Sequence, residues 1–390
     1  MSEIHHALVL NLHQPSCNLD DLLETNEWEV KEILFAYDRM PRSLWSYEDV
    51  ARVTLSMSGT LLETLSAPSF QSRVYGTVDC GSMLWALQNR RLFDILGTGY
   101  YHPVLALTPE ADWDDHLTRW RGIAKHVFWR SEFQGFWPPE MGFCMELIPY
   151  LKRHGYRFVL VDSEYVDPVD EMSWQELRYR PHIAEYEGEE IIVVVRDRQL
   201  SDAQLAGMDY GWFYHEINER TKWCDFPPLV TTATDGDNGG WFRNVNARSN
   251  FWTYFYRQAL DEIRAGNSVM RPTFIGDYLD RFGAHGRVTV RRGAWNTDEH
   301  HGWDFKQWTG SQAQRDAQVR INDKYHALAK AADEKGASDD VRQCLAEARW
   351  RVLRAETSCN VYWGEAWVYR VHGDLDAADD WLNRARAGGA

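Results

Sequence analysis

Leu229-Val230-Thr231-Thr232-Ala233 runs without a break into Thr234-Asp235-Gly236-Asp237-Asn238-Gly239-Gly240-Trp241. The first part reads as a buried strand, because it does not alternate apolar with polar residues as a half-exposed strand does. The second part reads as a glycine-rich turn that carries carboxylates. The chain repeats this pattern. Residues 7–12 form an apolar run that ends at His13-Gln14-Pro15, and residues 158–161 end in Asp162. Residues 53–57, 191–195 and 288–290 are further strand candidates.

Helical stretches separate these strands. Residues 29–37, 60–65, 113–128, 145–153 and 250–265 read as helices, and residues 91–96 read as a helix end stopped by Gly97. Residues 100–107 read as a strand or an extended segment. Alternation of this kind argues for an α/β domain with a mainly parallel sheet. In a closed (β/α) barrel the polar strand ends His13, Asp162 and Asp235 line one face, where chemistry sits. An open, doubly wound sheet is the alternative. No GxGxxG follows the first strand, so a dinucleotide site is not supported.

Near residue 311 the composition shifts to Ala, Arg, Asp and Gln, and Val341, Leu345, Ala348 and Val352 fall at helical spacing. The expected organisation is a catalytic barrel over residues 1–305 and a bundle of three or four helices over 306–390. No repeat of 20–50 residues recurs.

The chain has 390 residues, 44% hydrophobic and 26% charged, which is a globular composition. The 42 Lys and Arg against 58 Asp and Glu leave a net charge of −16, a field that repels phosphate backbones and anionic lipid surfaces. Neither a nucleic acid nor a membrane is expected as a partner. Mean hydropathy is −0.52, and no apolar run approaches the roughly 20 residues of a membrane span. No charged and apolar leader opens the sequence. The six cysteines show no CxxC spacing, so reduced thiols and a cytoplasmic setting are expected.

The excess lies in aromatics: 19 Trp, 18 Tyr and 16 Phe. Trp137, Trp241, Trp295, Trp303 and Trp308 stand beside Gly, Pro, Asp, Glu or His. Aromatic faces among polar groups suit a ligand with apolar faces and hydroxyl edges, as sugars have.

Two motifs carry carboxylates. In Gly135-Phe136-Trp137-Pro138-Pro139-Glu140-Met141-Gly142-Phe143 the two prolines stiffen the backbone in front of Glu140. That is what aiming one side chain requires, although Pro followed by Glu also starts ordinary helices. Asp235-Gly236-Asp237-Asn238 is open to three readings: a calcium loop lacking the bidentate Glu, a plain turn, or a functional strand end. Taken together they suggest retaining glycoside hydrolysis, which uses two carboxyl groups about 5–5.5 Å apart, one attacking the anomeric carbon and one protonating the leaving oxygen. His13, His102 and the pair His300-His301 are candidates to bind sugar hydroxyls or position a nucleophile. The histidine spacing shows no HxxxH or HExxH, so no metal is expected.

The whole set resembles glycoside hydrolase family 57, the α-glucan-acting retaining enzymes. His13-Gln14-Pro15, Gly99-Tyr100-Tyr101-His102-Pro103, Gly135–Glu140, Asp235-Gly236-Asp237-Asn238 and Gly293-Ala294-Trp295 through Trp308-Thr309-Gly310 are similar to that family's five motif regions, in the family's order. Residues 355–364 also look like a helical segment of the family.

The resemblance implies an incomplete (β/α)7 barrel followed by a helical region, with no organic cofactor or catalytic metal. It places the nucleophile on Glu140 and the acid/base on Asp235. It implies that His13, Gln14, His102, Trp137 and Asp237 surround the reacting sugar and that Trp241, Trp295 and Trp308 stack on sugar rings. Asp237 stands where the family often has Glu, and the segment 293–310 matches least closely. The chain is shorter than many branching and transferase members, and the branching members carry a different first motif. An amylase-like hydrolysis of α-1,4-glucans or maltooligosaccharides is therefore expected. The alternatives are a glucanotransferase or branching enzyme, a silent glucan-binding protein, and, last, a metal-dependent polysaccharide deacetylase.

Overall fold

The computed structural model describes residues 3–243, 249–295, 297, 304–332 and 338–388, with Gly240 and Ala332 by backbone alone. Its described strands are β1 (Ile4–Leu12), β2 (Val53–Met57), β3 (Phe93–Leu96), β4 (Gly135–Phe136), β5 (Phe158–Asp162), β6 (Val166–Pro168), β7 (His182–Tyr186), β8 (Glu189–Arg196), β9 (Leu229–Asp235), β10 (Met270–Pro272) and β11 (Val288–Val290). The chain divides into two units. One comprises residues 1–98, 120–137 and 145–291, and the other residues 99–119, 138–144 and 292–390.

The first unit is built on seven parallel strands in the order β3-β2-β1-β9-β8-β5-β4. The two edges of this sheet meet. The Gly97 N–H donates to Gly135 O at 2.9 Å and the Trp137 N–H to Gly97 O at 2.8 Å, which joins the end of β3 to β4. The sheet is therefore the nearly closed seven-stranded barrel that the family resemblance implied. All nine residues of β1 are buried, as a strand covered on both faces requires.

Closure depends on small residues at the seam. A Cβ on Gly97 would lie 2.1 Å from the Tyr156 hydroxyl, and one on Gly135 would lie 2.2 Å from the Phe158 ring. Opposite the seam the barrel splays, since β8 and β9 share a single registered pair, Arg196 with Thr231. Side chains take over the backbone's hydrogen bonds there. Arg196 Nε donates to Ala233 O at 2.7 Å, and the Ala233 N–H donates to Ser201 Oγ at 3.0 Å. The Arg196 guanidinium and Arg198 Nε also bind the buried Asp162 carboxylate, at 2.5 and 2.8 Å. Asp162 therefore has a structural partner set.

Strands hand over directly to helix caps. β2 is followed by Ser58, whose hydroxyl accepts from the Leu61 N–H at the start of helix Gly59–Ser66. β8 is followed by Asp197, which accepts from Leu200 N at 3.0 Å and starts helix Arg198–Ala206. Each cap satisfies donors that the first turn cannot.

Three local expectations are corrected. Residues 93–96 form strand β3 rather than a helix end, because Asp94 interrupts the apolar signal of a strand only four residues long. Residues 100–107 are turns, isolated bridges and a 3-10 turn over Leu105–Leu107. The segment 288–290 is a strand, but it pairs antiparallel with β6 outside the barrel. Four strands were not anticipated: the two-residue β4, β6, β7, which pairs antiparallel with β8, and β10, which pairs with the start of β1.

The second unit contains the helices Gln312–Ala332, Asp339–Ala355, Ser358–Tyr362 and Val368–Arg386. Cys344, Ala348, Val352 and Leu353 form the buried stripe of the second of these. Arg354 binds Asp374 at 2.7 Å, and Lys324 pairs with Asp379, tying the last helix to its neighbours. Short crossings bind the other segments of this unit to the tail. Phe143 and Gly293 exchange backbone hydrogen bonds of 3.0 and 3.3 Å, and Pro103 bridges Thr357.

Candidate active site

In the second unit, the backbone around Glu140 is unusual. Glu140 has φ 59° and Met141 φ 51°, the left-handed region that residues other than glycine seldom occupy. Each such residue costs about 1–3 kcal/mol and persists where surrounding contacts enforce it. The contacts are present. The Trp295 N–H donates to Glu140 O at 3.0 Å, and the Met141 and Gly142 N–H groups donate to Pro138 O and Pro139 O at 2.8 and 2.9 Å.

Both oxygens of the Glu140 carboxylate are held. Trp295 Nε1 donates to Oε2 at 2.9 Å, and Ser358 Oγ donates to Oε1 at 2.7 Å. His102 Nδ1 lies 3.6 Å from Oε1 and 3.1 Å from Ser358 Oγ. Burial pushes the His102 imidazole down to about 3, so it is neutral near neutral pH. His102 also has positive φ, 56°, and its carbonyl accepts the Ser358 N–H at 3.1 Å. Donors on both oxygens favour the ionised carboxylate and fix its orientation. The ordinary-capping reading of the Pro-Pro-Glu sequence is set aside, since these partners are side chains and not helix N–H groups.

In the first unit, Asp235 ends β9 and is paired in register with Asn11 near the end of β1. Asn11 Nδ2 donates to its Oδ1 at 3.0 Å and Asn238 Nδ2 to its Oδ2 at 3.1 Å. Burial raises the Asp235 carboxyl above its usual range, against these two hydrogen bonds. Asp237 is buried two residues on and accepts from the Tyr37 hydroxyl at 2.6 Å. Burial and then the charge of Asp235 raise it as well. Burial therefore disfavours the charged form of both carboxyls, and the Asp235 charge adds to that effect on Asp237. Gly236 permits the close turn, since a Cβ there would lie 3.0 Å from Leu10 Cβ and from Leu12 Cδ2.

Gln14 is buried, and its side chain accepts from Asn18 at 2.9 Å and also reaches Asp237. His13 is half-buried just beyond β1. Trp241 Nε1 donates to Gln204 O at 2.9 Å, and its ring sits edge-on to Phe251. Trp137 is fully buried.

Thus His102, Glu140 and Trp295 come together in one unit, and Gln14, Asp235 and Asp237 in the other. Two of the tryptophans expected to stack on sugar rings have protein partners. Trp308 is fully buried and packs against Tyr362. Trp295 is 9% exposed and serves Glu140 through its indole N–H. Asn296, Asp298, Glu299, His300, His301 and Trp303 lie outside the described residues.

Three partners were missed: Asn11, Tyr37 and Ser358. Asn11 left a signal, being the one polar residue in the apolar run 7–12. Tyr37 left none, and Ser358 lay within the segment 355–364 without standing out from it; their partners are 200 and 218 residues away in sequence.

The pattern described as glycosyl hydrolase family 57 matches residues 11–290 of the chain. The chain belongs to that family. Over 206 residues this family 57 protein is 27% identical to an alpha-amylase of Pyrococcus horikoshii, covering 51% of this chain and 29% of that protein. Over 208 residues it is 26% identical to a 4-alpha-glucanotransferase of Thermococcus kodakarensis, covering 51% of this chain and 28% of that protein. The matched stretch is therefore under a third of either relative's length. The structure of a GH57-type branching enzyme from Pyrococcus horikoshii superposes with a TM-score of 0.75 at 14% identity, over 100% of this chain and 92% of that one. At that identity the likeness is one of fold.

Proposed function

We propose that this protein is a retaining glycoside hydrolase that cleaves α-1,4-glucosidic bonds in starch- or glycogen-type glucans or maltooligosaccharides. The observation that carries the reading is Glu140: an oriented carboxylate on a strained backbone, with a neutral donor on each oxygen. A nucleophile needs that combination of fixed aim and retained charge.

In the first step a Glu140 oxygen attacks the anomeric carbon. The bond to the leaving sugar breaks, and the leaving oxygen takes a proton from Asp235. In the second step water attacks the same carbon, gives a proton to Asp235 and releases Glu140. Two inversions give net retention. The raised Asp235–Asp237 pair supports the acid role, since a proton must be present when the glycosidic bond breaks. His13, Gln14 and Asp237 hold hydroxyls of the bound sugar, His102 and Trp137 shape the pocket around it, and Trp241 offers a ring face. Neither step calls for a metal or an organic cofactor. The free thiols of Cys17, Cys80, Cys224 and Cys344 support a cytoplasmic setting.

A second reading, glucanosyl transfer, is favoured by the likeness to the 4-alpha-glucanotransferase. It uses the same intermediate and differs only in that a sugar hydroxyl replaces water. Incubation with amylose and with maltoheptaose separates them. Shorter products with rising reducing ends support hydrolysis, and longer or branched products at constant reducing ends support transfer. Glu140→Gln and Asp235→Asn must each abolish turnover in a folded protein, and activity retained in either removes that residue's role.

A further inference from the structure

We infer that Ser358 is a positioning residue for Glu140, fixing the aim and the charge of the nucleophile through one hydroxyl proton. The inference rests on the reading of Glu140 as the nucleophile.

Hydrogen-bond direction follows from the donors available. An ionised carboxylate can only accept, so at 2.7 Å the single Ser358 hydroxyl proton points to Glu140 Oε1. Ser358 Oγ then has only lone pairs for His102 Nδ1 at 3.1 Å, so that nitrogen carries a proton. His102 is buried and neutral, which leaves Nε2 as its lone-pair nitrogen. The chain His102 Nδ1–H, Ser358 Oγ–H, Glu140 Oε1 thus runs one way only. His102, at 3.6 Å from Oε1, is a titratable group that faces this carboxylate oxygen among the described residues, and it acts through the serine.

Ser358 is itself fixed at several points. It is 1% exposed and opens the helix Ser358–Tyr362. Its N–H donates to His102 O, while Thr357 Oγ1 donates to Arg354 O at 2.8 Å. Glu356 lies 2.7 Å from His116 Nε2, both fully buried. The chain leading up to the hydroxyl, residues 356–358, is therefore pinned. A hydroxyl so constrained locks the carboxylate in one rotamer without touching substrate.

The test compares Ser358→Ala, Ser358→Thr and Glu140→Gln on the same glucan substrate, with thermal unfolding of each. Loss of a hydrogen bond to a charged group lowers kcat of Ser358→Ala by about tenfold to a hundredfold. KM changes little. The acidic limb of kcat/KM moves to higher pH, because the lost donor had stabilised the ionised carboxylate. Ser358→Thr, which keeps the hydroxyl, restores the limb, and it carries the test if the alanine variant fails to fold. Wild-type kcat and an unmoved limb in a folded Ser358→Ala overturn the inference. So does a loss of kcat with an unmoved limb that threonine does not restore. Activity in Glu140→Gln instead overturns the nucleophile assignment, a separate outcome.

Discussion

Trp295 and Glu140 grip each other at two points: the Trp295 backbone N–H donates to Glu140 O at 3.0 Å, and its indole N–H donates to Glu140 Oε2 at 2.9 Å. One residue thereby stabilises both the left-handed backbone and the side chain that the backbone presents. Sequence alone suggested a sugar-stacking role for this tryptophan, and its geometry adds a hold on the carboxylate.

Trp295→Phe keeps most of the ring and the backbone bond but removes the donor to Oε2. A hydrogen bond to a charged group contributes about 1.5–3 kcal/mol, so kcat falls roughly tenfold to a hundredfold. Steady-state kinetics on maltoheptaose, with thermal unfolding as the control for folding, checks this. Unchanged kcat removes the indole N–H from the account.

Asp237 gives a pH signature of stability. Its carboxyl is pushed up to about 7 in the fold, so the folded chain binds that proton more tightly than the unfolded chain does. The associated stability is fully present below the ordinary carboxylate range and is lost as pH rises through about 7. Asp237→Asn is isosteric, can still accept from Tyr37, and does not ionise. Urea unfolding at about pH 4.5 and about pH 8 is expected to show the variant gaining on the wild type at the higher pH. A pH-independent difference contradicts the assignment.

Gly97 closes the barrel against Tyr156. Gly97→Ala forces a methyl to within 2.4 Å of the ring of a tyrosine that is itself 1% exposed. Overpacking of this kind costs roughly 1–3 kcal/mol. Denaturant unfolding at constant m measures it, and full stability in the variant means that the seam is looser than described.

Arg196 closes the other side of the barrel. Arg196→Met removes a buried cation from Asp162 and the bond to Ala233 O. Arg198 keeps its own contact with Asp162, so the expected loss is near the lower end for breaking a buried pair, about 3 kcal/mol. A loss below about 1 kcal/mol shows that the splay needs no such support.

The barrel was readable because its longer strands are covered on both faces and announce themselves as continuous apolar runs. Residues 7–12, 53–57 and 229–233 are examples, each ending where polar residues begin. What escaped was short or interrupted. Gly135–Phe136 is a strand of only two residues, held between β5 and Gly97, and Asp94 hides the strand around it. Glu140 and Asp235 stood out as carboxylates in stiff or glycine-rich surroundings. Two of the groups that hold the site did not, since Ser358, which binds Glu140, and Tyr37, which binds Asp237, are ordinary residues of helices until the chain folds.

Trapping the glycosyl-enzyme tests the central claim most directly. A glycosyl fluoride that carries a second fluorine to slow the release step, incubated with the protein and followed by proteolysis and mass spectrometry, identifies the residue that attacks the sugar. The account predicts one added glycosyl group, carried by the peptide that contains Glu140 and absent from Glu140→Gln. A label on any other residue, or a first product of inverted configuration with no label, contradicts it.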